Sequence, residues 1–479
     1  MENNPKVELQ QRISVKLLVS IPMLLLVLPL RAAEPQLSVG FAEADISPTL
    51  GKKPVFMAGF GGNRTATKIH DPIMARAVVL SDGTKTLALV SVDLVGFFLP
   101  NVDNIRKELK GIDHLIVSST HNHEGPDTVG LWGASPFQSG VDPEYVKGIE
   151  QTIVKIVGAV AKSLVPAKAK IGTANAPELI NDNRLPVVKH DELVAIRFEA
   201  ATGGKPLGIL VQWNCHPETL DDKNREITAD FVGYTVGYLK KKHGCPAAYF
   251  TGTVGGLMTS LKVPLKNDKG ESLKDGTFEK AEAFGTALGK VADKALSATV
   301  EAKLVPFDLR VRTILVPVEN GLYKLAKTAG VLNRPMYSWP GGASPKEWKE
   351  TTDVTKPVAV KTEVAYLKLG ELDIAAIPGE IYPELVLGKV QDPPDAGADF
   401  PDAPVEPAIY APLKGKFKMI LGLANDELGY FIPKRQWDVE KPYCYKLKSS
   451  QYGEVNSCGP DTAKVICETF RALTEAPKK

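Results

Sequence analysis

Leu115-Ile116-Val117-Ser118-Ser119-Thr120-His121-Asn122-His123-Glu124-Gly125-Pro126 is an apolar run that ends in two histidines and a turn. A short Leu/Ile/Val run closed by turn residues is predicted to be a strand buried on both faces, as strands in α/β sheets are. In an extended segment residues i and i+2 point to one side, so His121 and His123 can face one cavity. Just past a buried strand is also where open α/β sheets place ligands. A bare His-x-His occurs in many chains that bind no metal, so other segments must supply further ligands.

Three other runs repeat the pattern. Ile209-Leu210-Val211-Gln212-Trp213-Asn214-Cys215-His216 sets another imidazole past a strand, and Leu372-Asp373-Ile374-Ala375-Ala376-Ile377-Pro378-Gly379-Glu380 sets a carboxylate there. Lys418-Met419-Ile420-Leu421-Gly422-Leu423 leads to Leu428-Gly429-Tyr430. Imidazoles, a carboxylate and a phenolate could thus converge at one end of a sheet. Such donors suit Zn²⁺, with an open position left for water. Each also has a plain structural explanation. A histidine after a strand is commonly a hydrogen-bonded structural residue, Glu380 precedes a helix whose dipole favours its charge, and a tyrosine after glycine usually packs.

Further out, strands are predicted at Thr86–Val92, Leu193–Phe198, Ala248–Thr251, Leu309–Val318 and Val364–Leu369. Helices are predicted at Pro143–Ser163, Phe231–Lys242, Thr277–Ser297, Tyr382–Val390 and Asp461–Leu473. Strand and helix signals alternate, as in α/β folds. The expectation is an α/β protein: one large domain of mixed β-sheets flanked by helices, with a metal site at the strand ends. No internal repeat stands out at solenoid or propeller period. Three polar or Pro-rich segments, 264–276, 339–356 and 391–412, read either as domain linkers or as long surface loops around a site, and no segment looks like a flexible hinge between two independent units.

The 479 residues carry 58 Lys+Arg against 56 Asp+Glu and are 44% hydrophobic. That excludes wholesale disorder and a polytopic membrane protein. A formal charge of +2 also argues against a partner bound through nucleic-acid phosphates. Residues 1–33 run from Lys6, Arg12 and Lys16 through apolar Leu17–Leu30 to Arg31-Ala32-Ala33, the order of a secretory signal. Export to the periplasm or medium is expected, with an N-terminal membrane anchor as the alternative, and residues 34–479 form the functional domain. Export permits disulfides. Cys444–Cys458 is the expected bridge, Cys215 is a thiol or pairs with Cys245, and the odd count of five, with Cys467, leaves at least one cysteine free or paired between molecules.

In order, Gly40-Phe41-Ala42-Glu43-Ala44-Asp45-Ile46-Ser47-Pro48, Met57-Ala58-Gly59-Phe60, Asp71-Pro72-Ile73-Met74-Ala75-Arg76-Ala77, Val90-Ser91-Val92-Asp93 and Thr120–Pro126 resemble the neutral ceramidase family. Asn183-Arg184, His216, Asp230-Phe231-Val232-Gly233, Pro378-Gly379-Glu380 and Gly429-Tyr430 continue the likeness from about residue 38 onward. It resembles the catalytic domain alone, without the C-terminal immunoglobulin-like sandwich of full members. The resemblance implies a zinc-dependent amidase acting on ceramide or another N-acyl lipid, with peripheral membrane contact and no nucleic acid. It implies His121, His216, Glu380 and Tyr430 as the Zn²⁺ ligands, His123 as the group that handles the proton, and Tyr452 as an oxyanion donor. Arg184 is implied as a substrate contact. Asp93 is expected to orient a ligand imidazole. Phe97, Phe98, Leu131, Trp132 and Phe137 are expected near the site, lining an acyl pocket, touching a membrane or packing the loops. The chain departs from the family at Asn122, at Asp127–Trp132, at Val254-Gly255-Gly256-Leu257 and at Gly453, where the substrate would lie. Two other functions stand beside this one: a metal-dependent hydrolase of a different amide or ester, and a non-catalytic exported binding protein of the same fold.

Overall fold

A computed structural model describes residues 35–342 and 347–476; the segment read as an export signal lies outside them. One order of elements recurs three times. The first run is β1 (Ser38–Asp45), β2 (Met74–Ser81), β3 (Thr86–Val92), α1 (Leu99–Glu108), β4 (His114–Ser119) and α2 (Pro143–Val160). The second is β5 (Val165–Asn175), β6 (Glu192–Ala200), β7 (Pro206–Trp213), α3 (Asp230–His243), β8 (Ala247–Thr251) and α4 (Phe278–Ser297). The third is β9 (Phe307–Val318), an inserted helix α5 (Gly321–Thr328), β10 (Val358–Leu369), β11 (Leu372–Ala376), α6 (Pro383–Leu387), β12 (Phe417–Leu421) and α7 (Thr462–Glu475). In each run three strands form an antiparallel meander, and the fourth returns parallel to the third. A helix fills the return, as a parallel crossover requires.

The first two runs share one sheet, ordered β8-β7-β6-β5-β1-β2-β3-β4, and the third forms β9-β10-β11-β12. Alternate residues explain the layers. Val78, Leu80, Leu89, Ile116, Ile196 and Leu210 join Leu367, Ile374 and Met419 in a core between the two sheets. Val79, Val90 and Val117 point to the other face, where Ile149 and Ile153 of α2 cover them. Phe231 of α3 and Phe284 of α4 cover the second run, and Ile466 and Phe470 of α7 the third. β3, β4, β7, β8, β11 and β12 are largely buried on both faces, so they read as apolar runs. The fold class is as expected, a mixed α/β architecture. The helix expected to reach Val390 stops at Leu387, because Gly388 takes a left-handed φ of 71° and caps it.

The three parallel returns meet at their C-terminal ends. Asn425 N donates to Val117 O (2.7 Å), and Val117 N donates to Asn425 Oδ1 (2.6 Å). Asn425 Nδ2 donates to Leu115 O and Glu363 Oε1. Gly422 N donates to Thr251 O (2.9 Å), and Thr251 Oγ1 donates to Thr120 O (2.7 Å). Gly422 has to be glycine, since a Cβ there would collide with Gly252 O.

All five cysteines are buried free thiols, so the expected bridges are corrected. Cys215 follows the end of β7 while Cys245 precedes the start of β8. The two strands run parallel, which puts these cysteines at opposite ends. Cys458 directs its sulfur to Leu428 O, whereas Cys444 lies in a separate turn fixed by Asp438.

Asn425→Ala should destabilise the protein by about 1–3 kcal/mol in urea unfolding, because it strands the buried Val117 N–H, while Leu115 O keeps the bond from Arg106 Nη2.

Candidate metal centre

The ligand-type residues all stand on loops that leave this junction. His121 follows β4 with a left-handed φ of 64°. The His121–His123 pair therefore does not use extended alternation, as its spacing suggested. A turn at His121 swings the rings together instead, with centroids 4.9 Å apart. His216 follows β7, and its ring lies 4.7 Å from that of His121. Glu380 and Tyr430 are register partners in a two-stranded parallel pair, Glu380–Ile381 with Tyr430–Phe431. Gly379 allows this approach, since a Cβ there would come within 2.7 Å of Gly429 O.

His121 Nε2 lies 3.2 Å and His216 Nε2 3.0 Å from the same oxygen, Glu380 Oε2. The Nδ1 atoms face backbone carbonyls, Val95 O at 2.7 Å and Met258 O at 2.9 Å. A carbonyl only accepts, so both Nδ1 atoms must carry their protons. In the neutral form both Nε2 lone pairs then point at one carboxylate oxygen. That arrangement needs positive charge, either from two protons or from a cation among the three groups. Nδ1–H held by a backbone carbonyl is also how metal-ligating histidines are oriented. The donor set therefore fits a divalent ion of the zinc type. One ring nitrogen from each of His121, His123 and His216 lies within 4.8 Å of the other two, so these three could hold a metal ion.

The groups polarise one another. Burial works against charge on His121 and His216, but Glu380 outweighs it and raises both pKa values. Burial would raise Glu380, and the two imidazoles instead hold it below the usual carboxylate range. His123 is pushed well below its ordinary value by burial, then by His121, His216 and Arg64, so it is neutral. His123 Nδ1 is 3.3 Å from Glu218 Oε2 but out of line for a hydrogen bond. Arg64, buried and stacked on Phe60, donates to Ala58 O and His123 O and pairs with Glu124 at 3.3 Å.

The centre opens into a cavity of about 790 Å³, counting its mouth, with Val95, Phe98, Val129, Leu332, Met336 and Val360 on its walls. His121, His123, Glu380, Tyr430 and Tyr452 share that lining, as do Leu131 and Trp132. Phe97 is instead buried in the core and Phe137 is exposed. Tyr452 has its hydroxyl bonded by Asn456 Nδ2 and its pKa pushed up to about 12, first by burial.

Arg184 does not line the cavity. Its guanidinium is spent on Glu454 (2.7 and 2.9 Å), Tyr452 O (2.6 Å) and Gln436 O (2.8 Å), so it positions the loop that carries Tyr452. Asp93 does not orient an imidazole either. It pairs with Arg76 at 2.8 Å and accepts from Met74 N, and the Val95 and Met258 carbonyls do the orienting. Four residues near the centre were missed from sequence: Arg64, Glu218, Arg334 and Glu427. Glu218, two residues after His216, and Glu427, three before Tyr430, carried a positional signal; the arginines carried none.

Among solved structures, the chain is similar to neutral ceramidase from Pseudomonas aeruginosa, with a TM-score of 0.69 at 16% identity over 92% of this chain and 74% of that one. It is also similar to a ceramidase complexed with C2, with a TM-score of 0.69 at 14% identity over 93% and 76% of the two chains. No protein-family model matches the sequence. The chain has a neutral-ceramidase-like fold.

Arg184→Ala leaves the buried Glu454 carboxylate without its counter-charge, with only Asp438 N still donating to it, and should cost about 3–5 kcal/mol in unfolding. Limited proteolysis should then cut the 444–456 loop faster than in the wild type.

Proposed function

We propose that this protein is a zinc-dependent hydrolase that cleaves a carboxylic amide, with an N-acyl lipid of the ceramide class as substrate. One observation carries this: two imidazoles with committed Nδ1 protons converge on one Glu380 oxygen at the end of an apolar cavity. In this assignment His121, His216 and Glu380 hold the ion, and Tyr430 beside Glu380 completes the set. What a divalent ion supplies there is Lewis acidity toward a carbonyl and toward water.

The other steps belong to the chain's own groups. His123 is neutral, buried and against the ligand histidines, so it can take a proton from water and return it to the leaving nitrogen. Tyr452 stays protonated at neutral pH and can donate to the carbonyl oxygen as negative charge develops. The apolar walls take the acyl chain and keep bulk water from the reacting carbon. Export by the N-terminal segment and peripheral contact with the membrane that holds such a lipid belong to the same proposal. One feature favours a second substrate within the same chemistry, a different N-acyl amide: Arg334 and Glu427 stand in the cavity wall, and an acyl chain needs neither.

His121→Ala and His216→Ala should each lose bound zinc and fatty-acid release from a ceramide panel; zinc retained at wild-type stoichiometry in both would sink the assignment. Tyr452→Phe should lower kcat by about 10²-fold with KM nearly unchanged.

A further inference from the structure

Glu427 is a carboxyl group in the cavity lining that the mechanism leaves unused. Its Oε1 accepts from Gly429 N at 2.6 Å, which fixes it one residue from Tyr430. Its Oε2 is buried with no hydrogen-bond partner among the described residues. The backbone on either side is held. Arg334 Nη2 binds Asp426 Oδ2 at 2.8 Å, Arg334 Nη1 donates to Glu427 O, and the guanidinium lies 4.6 Å from the Phe98 ring. Gly96 packs on the Glu427 stem, where a Cβ would come within 2.8 Å. The carboxyl is therefore held firmly beside the ligand set in a wall that is otherwise mostly apolar. A buried carboxyl oxygen without a partner destabilises the free protein unless a bound molecule satisfies it.

We propose that Glu427 is a specificity-determining residue: its unpaired Oε2 accepts a hydrogen bond from a hydroxyl or ammonium group that the substrate carries within a few bonds of the amide that is cut. This rests on the hydrolase assignment above and narrows it. The preferred substrate is an N-acyl compound with a donor next to the amide, not a plain fatty amide. A site built around a hydrogen bond rejects the analogue that lacks the donor, because its own polar group is then left unpaired.

Binding is read by the fluorescence of Trp132 in the cavity wall, separately from turnover. Three probes differ only at the donor: N-dodecanoyl ethylamine, N-dodecanoyl ethanolamine and N-dodecanoyl ethylenediamine. The zinc-loaded wild type should bind the hydroxyl or the amine probe at least about tenfold more tightly than the ethyl probe. Which of the two is preferred identifies the donor. Glu427→Gln keeps an oxygen for Gly429 N and puts an NH₂ donor where the free acceptor was, so the preference should shrink to about threefold or less. Glu427→Ala should give the same loss of preference if the amide variant folds poorly. The proposal is overturned if the wild type shows no preference, if the variants keep it, if they lose all three probes equally, or if they lose zinc, which would make Glu427 a ligand. Hydrolysis of none of the probes, with the binding preference intact, would count against the hydrolase assignment and leave Glu427 as the selecting residue.

Discussion

The structure depends on the junction where β4, β8 and β12 end. A parallel strand pair leaves its C-terminal carbonyls and N–H groups to be satisfied by whatever follows, and here the three runs satisfy one another. Asn425 copies a strand neighbour for Val117 with both backbone and side chain, and Thr251 ties β8 to the carbonyl of Thr120. No single run can close this junction alone. Every loop that leaves it starts from a position set by the other two. His121, His216, Glu380 and Tyr430 stand on the loops that follow β4, β7, β11 and β12 at this end of the sheets, so a site made from three distant parts of the chain is held by one set of backbone bonds. The threefold recurrence lies in topology and not in sequence. The runs differ in loop length and in the inserted α5, which is why no period stands out in the residues.

The parts that were legible are those whose physics is local. β3, β4, β7, β8, β11 and β12 are buried on both faces, and a run of Val, Ile and Leu bounded by turns says so without tertiary knowledge. β1, β2 and β5 were not legible. β5 alternates lysines with small residues, β1 is half exposed, and β2 holds Arg76 in its core side, which only the distant Asp93 neutralises. The ligand-type residues were legible as strand-end polar groups, and the resemblance to ceramidases sorted them. Their supports were not. Val95 and Met258 orient the imidazoles through main-chain carbonyls, which any residue could offer. The Cys215–Cys245 pair failed for a topological reason, since the sequence does not say which end of a parallel strand pair each residue occupies; Cys444 and Cys458 are instead held apart by separate loop contacts.

The buried ion pairs point to what the fold is built to hold. Arg64–Glu124, Arg76–Asp93, Arg184–Glu454 and Arg334–Asp426 are all nearly closed to solvent. Such pairs add little net stability over apolar packing of the same volume, because desolvation offsets the attraction. Each of these arginines has a further contact that a hydrophobic replacement could not make, or faces a carboxylate that has one. Arg64 holds the carbonyl of His123, Arg184 that of Tyr452, and Arg334 that of Glu427, while Asp93 accepts from Met74 N. The same economy explains the left-handed backbone of His121, a conformation that costs a non-glycine residue about 1–2 kcal/mol. The strain persists because Val95 O and Glu380 hold the ring from both sides. Arg64, Arg184, Arg334 and the left-handed His121 thus stand behind the loops of one cavity, where they fix geometry more than they raise stability. The core between the two sheets, which carries the stability, is built from Val, Ile, Leu and Phe.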